Sequence, residues 1–403
     1  MKFRLNQFLL AVSSTLDFVE MDIAGRRTNH GKRVAYMSLR IAMELNYDNE
    51  DLYDIVSLAI LHDNGISEAY NDILNDNINT EEHKMEHCIT GENNITNYPF
   101  LKTRKNIIRY HHEKYDGSGF FKLKGEEIPL ISQIICFSDY MENQFLIDQM
   151  WGENKVKIKK FVEEQSGKLF NPQICKIFLE LIENTGFKLD LGEDFIGSVL
   201  DEKIPKFTFD LGLEEVRSIT GVFSKIIDVK SKFTMRHSSG IAEKAEVMAN
   251  YYRYAYEEKT KLVIAANLHD IGKLAIPNTI LDKPGKLTDE EFDIIKTHTY
   301  YTRAALSKID GFEEITEWAA NHHEKLNGNG YPYGKKADEL DFNSRLMGCI
   351  DIYQGLTEKR PYREPLEHNK VIEIMRDMAK GNFIDKDRVE DVDKVFKNCE
   401  KNK

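Results

Sequence analysis

A chain of 403 residues exceeds what one hydrophobic core usually organises, so two domains are expected. With 41% apolar and 30% charged residues it reads as globular, and nine prolines among 403 residues favour helix over β-structure. A formal net charge of −12 excludes a nucleic-acid-coating role, which needs a basic face, but not the binding of a small anion where cations gather locally.

Near the N-terminus the apolar run "FLLAVSS" is too short to span a bilayer, and Asp17 and Glu20 follow it closely. It reads as an amphipathic helix rather than a signal peptide, and no segment reads as a membrane anchor. Cys88, Cys136, Cys175, Cys349 and Cys399 form no CxxC pair and lie in apolar stretches, so reduced thiols and a cytoplasmic location are expected.

The motifs that follow come in two rounds. "RTNHGKRVA" at His30 answers "TMRHSSGIA" at His237, and "AILHDNG" at His62–Asp63 answers "ANLHDIG" at His269–Asp270, both 207 residues on. "EHCITG" at His87 pairs with "THTYYT" at His298. "YHHEKYDGSGFF" at His111–His112 pairs with "NHHEKLNGNGYP" at His322–His323, again 211 residues on. Asp139 in "CFSDYM" matches Asp351 in "GCIDIY", and the tails "GKLFNPQ" and "GNFIDKD" echo one another. A tandem duplication is expected, with halves at 1–186 and 207–403 and a linker at 187–206 that packs rather than dangles.

Of twelve histidines, ten fall in the two matched sets, leaving only His83 and His368. A single core histidine satisfied by hydrogen bonds would need no further account; ten held in register with flanking aspartates point to metal ligation.

The local patterns in the second round are helical. Ile241, Ala245, Met248, Ala249 and Tyr252 mark one face, and "KLVIAANLHD" is an apolar helix ending at its ligands. "LTDEEFDIIKTH" opens with a capping box of Thr288 and Glu291, after which Ile294, His298, Tyr301 and Ala305 share a face. Ile315, Trp318, Ala319 and His322 share another, as do Met347, Ile350, Asp351 and Gln354. Each candidate ligand thus extends an apolar stripe into a helical bundle, where an unpaired imidazole or carboxylate is costly. Five histidines and two aspartates are too many for one tetrahedral zinc. Two octahedral-type ions sharing a carboxylate and a water suit them better, and ligation without thiolate suits iron or manganese as well as zinc. Such a pair, about 3.5–4 Å apart, is a phosphoester-hydrolysing arrangement.

The run "H…HDIGK…H…HHEKLNGNGYP…D" resembles the HD-GYP subgroup of the HD metal-dependent phosphohydrolases, strongly over 207–403 and more weakly over 1–186. The resemblance implies an all-α fold of two tandem HD-type helical bundles. It implies a phosphodiesterase that hydrolyses a cyclic dinucleotide, cyclic di-GMP or 3′,3′-cyclic GMP-AMP, to the linear dinucleotide or to mononucleotides. His237, His269, Asp270 and Asp351 correspond to the ligands of one divalent ion, and His298, His322 and His323 to those of the second. The resemblance implies that Asp270 is the bridging, catalytic carboxylate. It likewise implies that Lys273 is the catalytic lysine at the scissile phosphate, and Gly330, Tyr331 and Pro332 look like the name-giving substrate loop. Arg360 and Arg363 resemble a basic pair near the substrate phosphates.

Three departures stand out. Phe233 occupies the position of a glutamate that supports a third metal in some members, Asn327 replaces the usual aspartate of the loop, and Gln354 replaces a second aspartate of the family's "DxxDALT" run. The N-terminal half keeps an apparent ligand set of its own: His30, His62, Asp63, His87, His111, His112 and Asp139. It has Ile66 in place of Lys273, "GFF" in place of "GYP", and Asn143 and Phe145 interrupting the segment that answers "QGLTEKRPYR". That half is expected to bind metal, to hydrolyse little, and to serve as a packing or sensory partner for the other. Two other activities remain open at this point, hydrolysis of another phosphorylated nucleotide and a receptor that binds a cyclic dinucleotide without cleaving it. So do a homodimer and a signalling-protein partner.

Overall fold

The computed structural model describes residues 2–24, 28–66, 80–96, 98–145, 147–207, 209–230, 237–359 and 364–399. It divides into two compact units, residues 4–208 and residues 209–403 together with 1–3. Apart from the two-residue pairing of β1 (Lys2–Phe3) with β2 (Phe209–Asp210), both within the second unit, the described elements are helices.

The first unit contains α1 (Leu5–Ala24), α2 (His30–Glu44), α3 (Asn49–Ile60), α4 (Thr80–Asn94), α5 (Leu130–Gln144), α6 (Gly152–Gln165), α7 (Pro172–Leu181), α8 (Thr185–Asp190) and α9 (Ile196–Lys203). Its core forms where α2 packs on α3 and α5. Val34, Met37, Ile55, Leu58, Ile134 and Phe137 are buried completely. Local chemistry sets the ends: the Asp48 carboxylate caps α3 by accepting from Asp51 N–H, and Asn171 caps α7, where Pro172 takes the first helical position. Residues 187–206, expected as a linker, lie in this unit: α9 packs on α1 and α2, and the Leu191 carbonyl accepts from the buried Arg33 guanidinium at 3.1 Å.

The second unit contains α10 (Leu213–Lys230), α11 (His237–Tyr251), α12 (Tyr256–Leu268), α13 (Asn278–Leu281), α14 (Asp289–Leu306), α15 (Glu313–Ala320), α16 (Phe342–Thr357), α17 (His368–Lys380) and α18 (Lys386–Cys399). Helix α12 is its centre, packed by α10, α11 and α15, and it is buried all round from Leu262 to Leu268. An apolar run without amphipathic alternation belongs in such a position. The Thr288–Glu291 capping box opens α14 as read from the sequence. Its buried stripe is shifted, however: Ile294 is exposed, and His298, Thr299, Thr302, Ala305 and Leu306 face inward. The cause is a 3-10 turn at Ile271–Ala275 that packs against this face. A Cβ on Gly272 would be driven into the His298 carbonyl, and one on Gly65 into the His87 carbonyl, so both HDxG glycines are needed for backbone to pass backbone.

His368 is a satisfied core histidine, bonded to Tyr353 Oη at 2.9 Å and Asp393 Oδ1 at 2.9 Å. Among the described residues, Cys88, Cys136, Cys175 and Cys349 are buried and in no disulfide, and no helix is long and apolar enough to cross a membrane.

Candidate metal centres

In the second unit each ligand candidate arrives at the end or on the inner face of a helix. His237 opens α11, His269 caps the C-terminus of α12, and Asp270 follows it. His298 projects from α14, His322 and His323 follow the end of α15, and Asp351 lies on α16. All seven converge. His237 Nε2 is 3.2 Å from Asp351 Oδ1 and 3.7 Å from Asp270 Oδ2, and His269 Nε2 is 3.1 Å from Asp270 Oδ2. The other oxygen, Asp270 Oδ1, faces His298 Nε2 at 3.4 Å and His322 Nε2 at 3.8 Å. His323 Nδ1 is 3.8 Å from Asp351 Oδ2. The two oxygens of one carboxylate are therefore divided between two groups of histidines.

These residues fit divalent ions. His269, His298 and His322 direct Nδ1 to the carbonyls of Ala266, Ile295 and Ala319 at 2.6–2.8 Å, which fixes the proton on Nδ1 and leaves the Nε2 lone pairs pointing inward. The Nε2 atoms of His298 and His322 then meet at 3.3 Å as two acceptors, an arrangement that repels unless a cation joins them. His269 Nε2 and Asp270 Oδ1 are buried with no hydrogen-bond partner among the described residues. Burial pushes His298 down to about 3 and His323 to about 4, so both are neutral and available as ligands at physiological pH. Burial opposes the charge on Asp270, but His269 and Lys273 outweigh it and hold the carboxyl well below the usual range. For His237, burial is overcome by Asp351 and Glu358, which raise it to about 9.

Several supporting residues left no motif in the sequence. Glu358 accepts from His237 Nδ1 at 3.1 Å and is linked through Gln354 (3.1 Å) to Lys244 (2.6 Å). Gln354, a departure from the family run, is thus part of the ligand support, and it lies against Gly240, where a Cβ would meet its amide. Asp228 accepts the N–H groups of Ser238 and Ser239 at the start of α11, fixing the helix end that carries His237. The glutamate of the HHE run is a clamp and not a ligand. Glu324 accepts Tyr333 N–H at 2.8 Å and Lys335 N–H at 2.9 Å, bending the GYP loop back over His323. Gly330 passes so close to Glu324 that a Cβ would be 2.5 Å from its Cα. Asn327 makes a turn bond to Asn329 N–H at 3.0 Å, the bond that Asp116 makes to Ser118 in the first unit, so this exchange preserves the turn.

Lys273 Nζ lies 2.6 Å from Asp270 Oδ2 and is partly exposed. The Tyr331 ring is 4.9 Å from that of His323. Gly330 and Pro332 flank it, whereas Arg360, Arg363 and Phe233 lie outside the described residues.

The first unit repeats the cluster. His30 Nε2 is 3.3 Å from Asp139 Oδ1, and His62 Nε2 is 3.5 Å from both Asp63 Oδ2 and Asp139 Oδ1. Asp63 Oδ1 faces His87 at 3.3 Å and His111 at 3.5 Å, and His112 Nδ1 is 3.9 Å from Asp139 Oδ2. Glu113 clamps Phe121 and Leu123 N–H at 2.8 Å, as Glu324 does in the other unit. The tail echo has a structural counterpart as well: Tyr115 N–H donates to Leu169 O, and Leu326 N–H to Phe383 O. One neighbour is new. Cys88 Sγ lies 3.7 Å from His87 Nε2; burial raises this thiol, but His111 and His87 bring it down to about 7.

A family description for the HD domain matches residues 19–155 and again residues 221–387, the two segments that carry these clusters. The chain belongs to the HD-domain family. Two Vibrio cholerae proteins similar to this HD chain along most of its length are 3′3′-cGAMP-specific phosphodiesterase 1 and 3′3′-cGAMP-specific phosphodiesterase 3. The first is 29% identical, covering 92% of this chain and 87% of the relative; the second is 28% identical, covering 93% and 91%. A crystal structure of a cyclic GMP-AMP specific phosphodiesterase of V. cholerae, 24% identical, superposes over 98% of both chains with a TM-score of 0.68, which shows the shared fold. A cyclic di-GMP phosphodiesterase of Thermotoga maritima is 35% identical over 38% of this chain and 41% of its own. The HD units are thus helical domains whose His/Asp clusters can hold divalent metal.

Proposed function

We propose that the chain is a metal-dependent phosphodiesterase that opens the ring of a cyclic dinucleotide, with the chemistry in the C-terminal HD unit. The observation that carries this reading is the division of the Asp270 oxygens between two groups of histidine nitrogens, with a partly exposed lysine ammonium at the same carboxylate. In it, His237, His269, Asp270 and Asp351 would hold one ion, and His298, His322 and His323, with Asp270 shared, would hold the second. Such a pair, when bound, supplies an activated water and polarises the phosphoryl oxygens.

The remaining roles belong to the chain itself. The Lys273 ammonium, 2.6 Å from Asp270 Oδ2 and partly exposed, would neutralise charge on the scissile phosphate and the leaving oxygen. Glu358 holds the His237 ring in position, and Glu324, by accepting Tyr333 N–H and Lys335 N–H, holds the loop that sets the Tyr331 ring beside His323. Two relatives that span most of this chain are named for 3′3′-cGAMP, which favours that substrate over cyclic di-GMP, with the linear dinucleotide as first product. Iron or manganese suits the all-nitrogen-and-oxygen donor set.

The test is turnover of cyclic di-GMP, cyclic di-AMP and 3′,3′-cyclic GMP-AMP by protein loaded with iron or with manganese, with products resolved. Fastest hydrolysis of the mixed dinucleotide is expected. Tight binding without hydrolysis at full metal content would mean a receptor and overturn the reading.

A further inference from the structure

The two clusters differ at one place inside the ligand sphere. The residue after His298 is Thr299, which is buried and turns its hydroxyl to the Lys296 carbonyl of its own helix at 3.0 Å. The residue after His87 is Cys88, fully buried, with its sulfur beside the histidines. One ligand atom from each of His87, Cys88, His111 and His112 lies within 4.8 Å of the others.

A tetrahedral zinc with bonds of about 2.0–2.1 Å to nitrogen and about 2.3 Å to sulfur requires edges of about 3.4 Å between nitrogens and about 3.6 Å between nitrogen and sulfur. The observed separations are 3.4 Å between His87 Nε2 and His111 Nε2 and 3.7 Å between Cys88 Sγ and His87 Nε2. Two edges thus match a tetrahedron, and all four donor atoms lie within 4.8 Å of one another before any contribution from Asp63.

We propose that the second metal position of the N-terminal unit is a thiolate-containing zinc site formed by His87, Cys88, His111 and His112. The soft sulfur donor selects zinc over the harder ions that suit the C-terminal set. Four protein donors also close the coordination sphere, as in structural zinc sites, whereas hydrolytic sites keep a position open for water. The exchange of Thr for Cys, beside Ile66 in place of Lys273, turns a hydrolytic position into a closed one. This proposal rests on the N-terminal cluster binding metal and is independent of the substrate assigned to the other unit.

The experiment reads sulfur ligation directly. The full chain is stripped of metal and titrated with cobalt(II) as a spectroscopic substitute for zinc, in native form and as Cys88→Thr, Cys88→Ser and Cys349→Ala, with cobalt counted by mass spectrometry. The native chain and Cys349→Ala are expected to show a thiolate-to-cobalt charge-transfer band in the near ultraviolet. Both Cys88 variants should lose it, and zinc should bind at least about tenfold more weakly at that position. The native chain needs no variant to fold for the decisive reading. An Asp270→Asn chain titrated in parallel isolates the N-terminal ions: if it binds none, the N-terminal metal reading fails and this proposal with it. If it binds cobalt without the sulfur band, or the band survives in Cys88→Thr, the thiolate site alone is wrong.

Discussion

The N-terminal and C-terminal HD units bring the same seven ligand types together, yet they surround them differently. In the first, His30 Nδ1 bonds directly to Glu142 at 2.6 Å, and Glu142 is held by the buried Arg33 at 3.0 Å. In the second, Gly240 and Gln354 stand where Arg33 and Glu142 do, and Glu358, from the end of α16, reaches back to His237. Lys273 becomes Ile66, Thr299 becomes Cys88, and Tyr331 becomes Phe120, whose ring is still near His112 at 6.1 Å but carries no hydroxyl. Ligands sunk in a helical core are hard to lose singly, because each deletion strands its buried partners. Groups that meet only substrate have no such restraint. The comparison thus separates what the fold needs from what turnover needs.

The sharpest way to break it is Asp270→Asn, which should lower turnover by about 10³-fold or more and reduce bound metal, because one carboxylate serves both groups of histidines. Near-normal rate and metal content in this variant would dismiss the cluster as the site. Lys273→Ala is expected to cost about 10²–10³-fold in kcat with metal content unchanged. Parallel loss of metal and rate would instead make the lysine structural.

Glu358→Gln should weaken metal binding in the C-terminal unit about 10- to 100-fold, while Glu142→Gln weakens only the N-terminal set. Metal titrations followed calorimetrically separate the two. Asp63→Asn should leave most of the turnover intact while lowering bound metal and the melting temperature. Loss of half the rate or more with the C-terminal metals retained would make the N-terminal unit a part of catalysis.

The smallest effect concerns acid stability. Burial raises the Glu317 carboxyl, but hydrogen bonds from Arg303 and Lys335 outweigh it and bring the pKa to about 2. A folded-state value below the unfolded one stabilises the unit fully above about 4.5 and loses that contribution as pH falls toward about 2. Glu317→Gln should therefore lower the neutral plateau toward its acid value and so flatten the acid limb of the stability profile. An unchanged acid limb would remove the pairing as a cause.

Sequence alone determined the duplication, the helical class and the convergence of two His/Asp sets. Those readings rest on residue type and spacing along helices, which are local. The stripe through Ile315, Trp318, Ala319 and His322 is buried as expected, because helical periodicity is enough to define a face. Ile294 lies off the buried stripe because α14 also packs against the turn at Ile271–Ala275, which no periodicity within α14 records. Likewise Glu358, Asp228 and the clamp of Glu324 emerged only in three dimensions: their partners come from other elements, and a glutamate on a helix end looks like any solvated charge until the chain folds back. Cys88 is the plainest case. Its neighbour His87 reads as a ligand from the sequence, but only the approach of the turn bearing His111 and His112 to α4 brings a buried thiol among the histidines as a fourth candidate donor. Spacing along a helix names the residues that face inward; which of them meet is decided by how the helices pack.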